Sequence, residues 1–368
     1  MQKGPAARTK NMLSTSVDIV DALEPLADEW TELADRARAA PFLYPGWFQA
    51  WRSAFDAGAL QVLTARRGGR LVGLVPMQVH RGSWRSPTNV HTPAFDLLTV
   101  DEEALRALAE ALFGEHMREL RIAPLETGCP ALRALHDAAR ARDFRAVVQP
   151  AGRAPYLWLG DLRMQQRSLS RNLRHDVQRR LRRLCEAGAV SVQLADGGAS
   201  LDNLLEEGFG VESLSWKGRR GTAIASHDET TRFYTALARW AASVGWLRLA
   251  FLRLDGRAIA FQFDLELRSG YYSLKIGYDP EFERFSPGKI LAYTMVSRAV
   301  TAGLDAYELL GTDEPWKDRW TDLAREQVAF RAFSPSPAGR LASSAFLYWR
   351  PLVRRIPFST RVVARLRR

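Results

Sequence analysis

The sequence predicts an α/β fold with a mixed, largely antiparallel sheet, organised as tandem copies of one domain. Segments with helical periodicity alternate with short apolar runs that are typical of strands. Two similar hairpins with glycine-containing turns begin at Arg66 and Arg253, a spacing of 187 residues (253 − 66). This spacing is about half of the 368-residue chain, and a chain of that length suits two domains.

The first copy combines helices with a hairpin and one further strand. The hairpin joins Val62–Ala65 to Leu71–Val75. The stretch around residues 80–100 is expected to be irregular, and Gly152–Pro155 is expected to join the two copies. The predicted helices cover residues 21–38, 46–56, 101–114 and 130–142, and the further strand covers residues 118–122.

The second copy begins with an arginine-rich amphipathic helix at about residues 168–187. Ser168 or Ser170 can cap its start, and Gly188 ends it. Its apolar stripe at helical spacing consists of Leu169, Leu173, Val177, Leu181 and Leu184. Further helices are predicted at 200–213, 229–243 and 288–302, and strands at 247–253, 258–267, 271–277 and 306–310.

Composition favours a globular protein and argues against several other classes. The chain is 46% hydrophobic and 25% charged. No run approaches the ~20 apolar residues of a membrane span, and no apolar segment follows the basic N-terminus, so no secretory signal is expected. Cys129 and Cys185 are the only cysteines, and the six histidines show no paired ligand spacing. We therefore expect no metal site, no disulfide framework and a cytoplasmic location.

The formal net charge of +11 comes from two local segments. Residues 163–183 hold eight arginines and one acid, Asp176, while residues 340–368 hold eight arginines and no acid. The arginine face of the helix at 168–187 is either a solvated surface or a site for a lipid-linked sugar, a polyanion or RNA. The tail at 340–368 also contains apolar side chains. It could contact anionic inner-membrane lipid peripherally, pack on its own domain or be disordered.

A strand, a tight turn and a helix start follow one another in the second copy. Tyr271–Pro280 is typical of a strand with its turn, and Arg284–Leu291 of the opening of a helix. The first N–H groups of a helix lack partners and carry partial positive charge, so this turn could bind an anion. Pro287 suits a helix start, and Gly288 permits close approach to the backbone. An ordinary helix start that binds nothing is the alternative.

Several signatures of the second copy occur together in a fixed order. They are Ser215-Trp216-Lys217-Gly218, Leu274-Lys275-Ile276-Gly277-Tyr278-Asp279, Ser286-Pro287-Gly288, Glu308-Leu309-Leu310-Gly311-Thr312-Asp313-Glu314-Pro315-Trp316-Lys317 and Arg319-Trp320. In this order the chain resembles GNAT acetyltransferases of the BioF2-like or CelD (BcsL) type, which are related to the FemAB peptidyltransferases. The first copy, with Trp47–Trp51 and Gly69–Pro76, resembles the degenerate partner domain of that family. The resemblance covers about residues 40–322.

The resemblance implies two GNAT-like domains, a degenerate one at 12–155 and a catalytic one at 156–335, followed by a basic tail at 336–368. It implies acetyl-CoA or another acyl-CoA as donor, with no metal. An amine on an amino sugar or a peptide would attack the thioester directly, in exopolysaccharide or cell-envelope synthesis. Where the family's phosphate loop has several glycines, this chain has Gly288 alone.

The resemblance also assigns a donor site. Strand 271–277 is expected to splay from its neighbour and pair with the pantetheine arm. Backbone N–H groups of Gly288, Lys289 and Ile290 are expected to hold the pyrophosphate, with Arg284 and Lys289 as nearby cations. The full predicted cofactor-binding set is Arg284, Ser286, Pro287, Gly288, Lys289 and Ile290.

Candidate catalytic residues lie on the two strands before the turn. Along 258–267 the polar side chains alternate with apolar ones, so Asp264, beside Lys275 or Tyr272 on the next strand, is the candidate general base. A solvated strand face with an ordinary salt bridge is the alternative. Tyr278 is a candidate to return a proton to the leaving thiolate.

Two Trp-Lys pairs are candidate acceptor-binding residues. Each combines a ring that can stack on a sugar or nucleotide with a cation that can bind an anion. Packing of the tryptophans in a core or at a rim is the alternative. The full predicted substrate-binding set is Trp216, Lys217, Tyr272, Asp313, Trp316 and Lys317.

Two other functions remain open. The first is Fem-type transfer from aminoacyl-tRNA, with the arginine helix on RNA. It ranks second because the chain lacks the long helical hairpin that this group carries, and nucleic acid is therefore not an expected partner. The second is a non-catalytic binder of anionic glycan, lipid or nucleic acid that retains only the fold.

Overall fold

The computed structural model describes residues 15–21, 23–55, 58–114, 117–160, 171–311, 314 and 316–349. Its first half contains β1 (Ser16–Val20), α1 (Ala27–Arg36), α2 (Pro45–Phe55), β2 (Ala59–Arg67), β3 (Arg70–His80), β4 (Ser83–Arg85), β5 (Leu98–Thr99), α3 (Glu102–Ala111), β6 (Glu119–Glu126), α4 (Pro130–Ala141) and β7 (Arg145–Trp158).

The second half repeats the central part of this order and has additional helices. It contains α5 (Arg171–Ala187), β8 (Val190–Ala195), α6 (Leu201–Leu214), α7 (Trp216–Arg219), α8 (Asp228–Ser243), β9 (Leu247–Leu254), β10 (Arg257–Leu267), β11 (Gly270–Tyr278), α9 (Pro287–Thr301), β12 (Ala306–Glu308), β13 (Ala324–Phe333) and α10 (Pro337–Ser344). Strands β3 and β10 begin at Arg70 and Arg257, and strands β6 and β12 at Glu119 and Ala306. Both pairs are 187 residues apart, the spacing of the repeated hairpins in the sequence.

The described strands form one continuous sheet in the order β1-β2-β3-β4-β6-β13-β7-β12-β11-β10-β9-β8, with β5 beside β3. Neighbours are antiparallel except for β4 with β6 and β11 with β12. The predicted fold class, α/β with a mixed and largely antiparallel sheet, is therefore confirmed. Among the described residues, no helix has both the length and the apolar character needed to cross a bilayer.

The two halves exchange their last strands. Strand β13 of the second half lies between β6 and β7 of the first half. Strand β7 of the first half continues through Tyr156–Trp158 to pair with β12 of the second half. The join expected at Gly152–Pro155 lies inside β7, where these residues face Ala324–Gln327 of β13, so this segment is a strand and not a loop. The division into domains at 155 and 156 stays a prediction.

Aromatic packing also joins the halves, through helix α2 of the first half and helix α8 of the second. Phe42, Trp47 and Trp51 share one buried cluster with Phe233, Tyr234 and Phe263. Gly46 lies so close to Trp240 that a Cβ atom there would be 2.1 Å from the indole nitrogen. The halves therefore pack through a shared core as well as through the sheet.

The sequence predicted the long helices correctly, but it did not predict several strands or the exchange of strands between the halves. The stripe of α5 is confirmed, since Leu173, Val177 and Leu184 are buried and Leu181 is partly buried. Strand β7 has prolines and glycines typical of a linker, yet both of its edges are paired. The missed strands are β1, β4, β5, β7, β8 and β13. Leu169 and residues 350–368 of the basic tail lie outside the described residues, so the lipid contact of the tail stays a prediction.

A β-bulge between Phe263 and Asp264 sets which face of the sheet each side chain takes. Phe263 pairs with Lys275, but Asp264 pairs with Ser273. The Asp264 carboxylate is 0% exposed and accepts a hydrogen bond of 2.8 Å from the Tyr271 hydroxyl. The expectations that Asp264 faces Lys275 or lies on a solvated face are therefore wrong. This carboxyl lies in the interior, where burial raises its pKa to about 8.

Asp264→Asn should remove a pH-dependent loss of stability. The folded-state pKa of about 8 exceeds the ordinary value of 3.8, so the protonated carboxyl stabilises the fold at low pH. That contribution is lost as the pH rises between these values. The free energy of unfolding of the wild type minus that of the variant should fall by up to ~1.4 kcal/mol per pH unit in this window. Urea denaturation across the window measures the difference; a difference independent of pH would contradict the assignment.

Arg325→Met should destabilise the strand exchange. Arg325 of β13 binds Glu308 of β12 at 2.7 Å, and the Glu308 side chain is only 7% exposed. The variant leaves this carboxylate without its cation, and we expect it to lower the free energy of unfolding by about 2–3 kcal/mol. Arg153→Met is the matched control, because the Arg153–Glu326 pair is 43% and 57% exposed. It should cost less than about 1 kcal/mol, and equal losses in the two variants would contradict the prediction.

Candidate functional site

The sheet opens along one edge of β11. Strand β11 pairs with β12 in parallel only over Gly270–Tyr272. Its opposite edge pairs with β10 as far as Tyr278. Among the described strands none continues the pairing of β12, so residues 273–278 present an open edge. An extended ligand could add to this edge as a strand would.

Backbone groups at the open edge are already partly engaged. The Asp279 N–H donates to the Ile259 carbonyl of β10, and alternate residues of a strand point their backbone groups to opposite edges. The backbone groups of Ile276 and Tyr278 therefore point away from β10. The Lys217 ammonium donates a hydrogen bond of 2.6 Å to the Ile276 carbonyl. This lysine closes part of the edge.

The open edge forms one wall of a cleft of about 340 Å³. The start of α9 forms its end, and the segments around residues 215–217 and 314–320 form the other walls. The lining residues are Ser215, Lys217, Ile276, Gly277, Tyr278, Glu283, Ser286, Gly288, Lys289, Ala292, Glu314, Trp316, Arg319 and Trp320. The structure thus brings together six of the predicted site residues: Lys217, Tyr278, Ser286, Gly288, Lys289 and Trp316.

The turn before α9 is held by local contacts. Asp279 caps the 3₁₀ turn Pro280–Phe285, and Ser286 takes the left-handed conformation with φ +52°. The Ser286 carbonyl accepts the N–H groups of both Lys289 and Ile290. Two of the three N–H groups predicted to hold phosphate are therefore used inside the helix. Among the described residues, only Gly288 of these three has an N–H without an acceptor.

Helix α5 fixes the cation at this turn. The Lys289 ammonium lies 2.9 Å from the Asp176 carboxylate, which also pairs with Arg179 and Arg180. The hydrogen bond from Lys289, together with those from the two arginines, holds the pKa of Asp176 well below its usual range. Arg180 also donates to the Arg284 carbonyl at 3.2 Å. The arginine helix is therefore attached to the end of the cleft.

A buried glutamate supports the opposite wall, and the sequence did not indicate it. Glu212 of α6 has a side chain that is 0% exposed, and its carboxylate accepts the Ile224 N–H at 2.7 Å. Its other oxygen lies 3.6 Å from the Lys217 ammonium. Gly277 packs directly on it, since a Cβ atom there would lie 2.5 Å from the Glu212 Cα. A glycine inside a strand is the signal that indicates such a close approach.

The second Trp-Lys pair forms a compact group with a glutamate. The Trp316 indole donates to the Glu314 carboxylate at 2.8 Å, and the Lys317 ammonium lies 3.5 Å from the same carboxylate. Lys317 is 3% exposed and donates to the Leu310 carbonyl at 2.6 Å. Lys317 therefore lies behind the cleft wall, whereas Trp316 and Glu314 line the cleft.

Several predicted residues lie away from the cleft. The Tyr272 ring packs edge-on against Phe42 of the first half, and burial raises the pKa of its hydroxyl to about 12. Arg284 is exposed with its guanidinium over the Phe285 ring. Pro287 and Ile290 are buried and do not line the cleft. Asp313 lies outside the described residues, and the Trp216 side chain is not described.

Lys275 lies on the face of the sheet that packs against α8. Its ammonium is 5.4 Å from the centre of the Tyr234 ring. Burial, and then the charge of Lys217, lower its pKa to about 8, while Glu212 and Glu314 oppose the shift. Lys275 is therefore close to the cleft charges but separated from Asp264 by the sheet.

The equivalent helix start in the first half has the opposite charge. Asp101 caps α3 by accepting the Ala104 N–H, and it also binds Arg67 at 2.8 Å. Glu102 and Glu103 occupy the first turn of the same helix. Three acids at a helix start stabilise the helix but repel a phosphate. An anion would therefore bind at α9 and not at α3.

The comparisons with known proteins agree with this architecture. Residues 171–318 match the model of an acetyltransferase (GNAT) domain. No curated protein matches the chain. FemX superimposes with a TM-score of 0.62 at 15% identity, over 84% of this chain and 97% of its own. The C-terminal domain of a protein named lysylphosphatidylglycerol synthetase from Agrobacterium fabrum gives a TM-score of 0.57 at 12% identity, over 89% and 97%.

The solved structures identify the fold of the chain, and the family model matches one region of it. At 12–15% identity the two solved structures show that the chain shares their fold over most of its length. The family match lies within the second half and includes β11, the turn before α9 and both Trp-Lys pairs. Most residues that line the cleft therefore lie in the part of the chain that is similar to an acetyltransferase (GNAT) domain, and Arg319 and Trp320 lie just beyond it.

Proposed function

We propose that the chain is an N-acyltransferase of the BioF2-like or CelD type. It transfers an acyl group, expected to be acetyl, from acyl-CoA to an amine by direct attack on the thioester. The observation that carries this proposal is the open edge of β11 running to the unpaired Gly288 N–H at the start of α9. An extended arm with amide groups fits the edge, and a pyrophosphate fits the helix start.

The residues at the helix start fit a phosphate group. Gly288 has no side chain, and a Cβ atom there would lie 3.3 Å from the Tyr278 ring. The macrodipole of α9 and the ammonium of Lys289 favour an anion at this point. Lys289 is paired with Asp176, so the phosphate would share or replace that partner. Ser286 lines the cleft and does not use its side chain as a cap.

The remaining cleft residues can supply charge and proton transfer. The thioester provides an activated acyl carbon, and the protein must accept the proton of the amine and stabilise the developing oxyanion. The Lys217 ammonium, at the Ile276 carbonyl, lies where a donor on the edge would pass. Glu314 lines the cleft with its carboxylate held by Trp316 and Lys317. We assign the base to Glu314, since Asp264 is buried elsewhere, and proton return to Tyr278.

The different roles proposed for the two halves follow from the charges at the starts of α3 and α9. The acids at the start of α3 disfavour a phosphate there, which supports a donor site in the second half. The first half contributes α2 and the loop around His91 to the face beside Lys275. Its proposed role is structural support and acceptor binding. The proposed acceptor is an amine on an amino sugar or a peptide. The reaction would serve the synthesis of exopolysaccharide or of the cell envelope.

Transfer from aminoacyl-tRNA is the second candidate, and one observation favours it. Arg179, Arg182 and Arg183 are exposed on α5, and α5 is attached to the end of the cleft through Asp176 and Lys289. Such a surface could hold a phosphate backbone. If this candidate is correct, charge reversal of these three arginines should abolish RNA binding. If the acyl-CoA reaction is correct instead, the same variant should bind acetyl-CoA with an affinity within about threefold of the wild type.

Gly288→Asp should abolish saturable acetyl-CoA binding. The new carboxylate would stand at the helix start where the phosphate is expected, and repulsion should weaken binding at least tenfold, about 1.4 kcal/mol. Isothermal titration calorimetry with acetyl-CoA measures the effect. Gly210→Asp is the matched control, because Gly210 is exposed on α6 with open space around it. It should bind like the wild type.

The outcomes separate the candidate functions. Binding lost only in the Gly288 variant supports the acyl-CoA transferase. Binding retained in that variant would place the donor elsewhere. No acyl-CoA binding to the wild type, with RNA binding lost on reversal of the α5 arginines, would favour the aminoacyl-tRNA reaction. No acyl transfer from either donor would leave a non-catalytic binder.

A further inference from the structure

Lys275 is a partly buried cation whose surroundings are mostly aromatic. It shares its face of the sheet with Phe263, and its ammonium lies 5.4 Å from the centre of the Tyr234 ring. The Tyr234 hydroxyl lies 3.5 Å from Nδ1 of His91, which comes from the first half. The His91 ring stacks on Phe55 at 5.7 Å. Residues of both halves therefore meet beside the ring that contacts this ammonium.

The acids near Lys275 are committed to other partners. Glu212 accepts the Ile224 N–H and faces Lys217. Glu314 accepts the Trp316 indole N–H and faces Lys317. Among the described residues none forms a hydrogen bond or an ion pair with the Lys275 ammonium. Partial burial of a cation without a partner anion is unfavourable, and a bound anion would offset part of that cost.

The imidazole of His91 on this face carries no charge at neutral pH that could take the place of an anionic ligand. Burial, and then the charges of Lys275 and His227, lower the pKa of His91 to about 4, so its ring is neutral at neutral pH. The face thus offers one positive charge, a neutral imidazole and aromatic walls. A single negative charge matches this set. A phosphate dianion would call for a second available cation, and Lys217 is bonded to Ile276 and faces Glu212.

We propose that Lys275 binds a carboxylate of the acceptor, so that the acceptor is an amine carrying a carboxylate, such as an amino acid, a peptide or an amino sugar acid. This inference rests on the proposed function, in which the donor takes the open edge and the start of α9. The face with Lys275, Tyr234 and His91 is then left for the acceptor. A neutral amino sugar would leave the ammonium without a partner.

The test uses acceptors in matched pairs that differ in the carboxylate. The full chain is assayed with acetyl-CoA and a panel of acceptors that consists of amino acids, dipeptides and muramic acid. Each amino acid or dipeptide is compared with its amide, and muramic acid is compared with glucosamine. In the wild type, the carboxylate member of each reactive pair should have a kcat/KM at least tenfold higher than that of its neutral counterpart. Lys275→Met should remove this preference by lowering the carboxylate member about 10- to 100-fold, as expected for a lost charged hydrogen bond.

Controls separate this role from structural damage and from failure of the proposed function. Lys275→Met should keep wild-type affinity for acetyl-CoA in calorimetry, which would show that the fold and the donor site are intact. Arg106→Met, which removes one positive charge from an exposed position on α3, should keep the carboxylate preference. A wild type that transfers acetyl without preferring carboxylates, or a preference that survives in Lys275→Met, would overturn the inference.

A binding measurement covers the case in which no acceptor reacts. The carboxylate probes of the same panel should raise the melting temperature of the wild type and not that of Lys275→Met, and the neutral counterparts should raise neither. Equal shifts in the two proteins, or no shift with any probe, would overturn the role of Lys275. Loss of acetyl-CoA binding in the wild type would instead contradict the proposed function, whatever the carboxylate probes do.

Discussion

The exchange of strands β7 and β13 is the constraint on which the rest of the structure depends. Because β13 pairs within the first half, the chain must leave the three-residue strand β12 and cross before it reaches β13. That crossing, residues 309–323, brings Glu314 and Trp316 to the cleft. It begins beside Glu308 and ends beside Arg325, and these two residues form an ion pair at 2.7 Å. The exchange that joins the halves thus also builds one wall of the site.

The short strand β12 has a second consequence. Strand β11 loses its neighbour after Tyr272, and its backbone groups need other partners, because unsatisfied polar groups are costly in a folded protein. Lys217 satisfies one of them at the Ile276 carbonyl, and Glu212 in turn supports Lys217. Lys217 and Lys289 at the cleft are therefore positioned by a carbonyl and by carboxylates. The Lys275 ammonium lies over an aromatic ring and, among the described residues, has no hydrogen bond or ion pair. Preorganised charge of this kind favours both binding and catalysis.

The two halves show how one architecture acquires different chemistry. Helices α3 and α9 begin at equivalent places after equivalent strands. The first starts with Asp101 and two glutamates, and the second with Ser286-Pro287-Gly288 and Lys289. The backbone dipole is the same in both, so the side chains of one turn decide whether an anion can approach. The two halves share this arrangement, but the side chains of the proposed donor site occur at the start of α9 and not at that of α3.

Local patterns in the sequence determined the long helices, the repeat of 187 residues and the turn at Gly288, because these features depend on neighbouring residues and on periodicity. The tertiary structure decided the rest. Strand β7 resembles a linker until β13 and β12 pair with its two edges. Asp264 and Lys275 look like neighbours until a single bulge places them on opposite faces. Glu212 becomes part of the site only through its packing on Gly277. Pairing, register and close approach join residues far apart in the chain, and no local pattern records them.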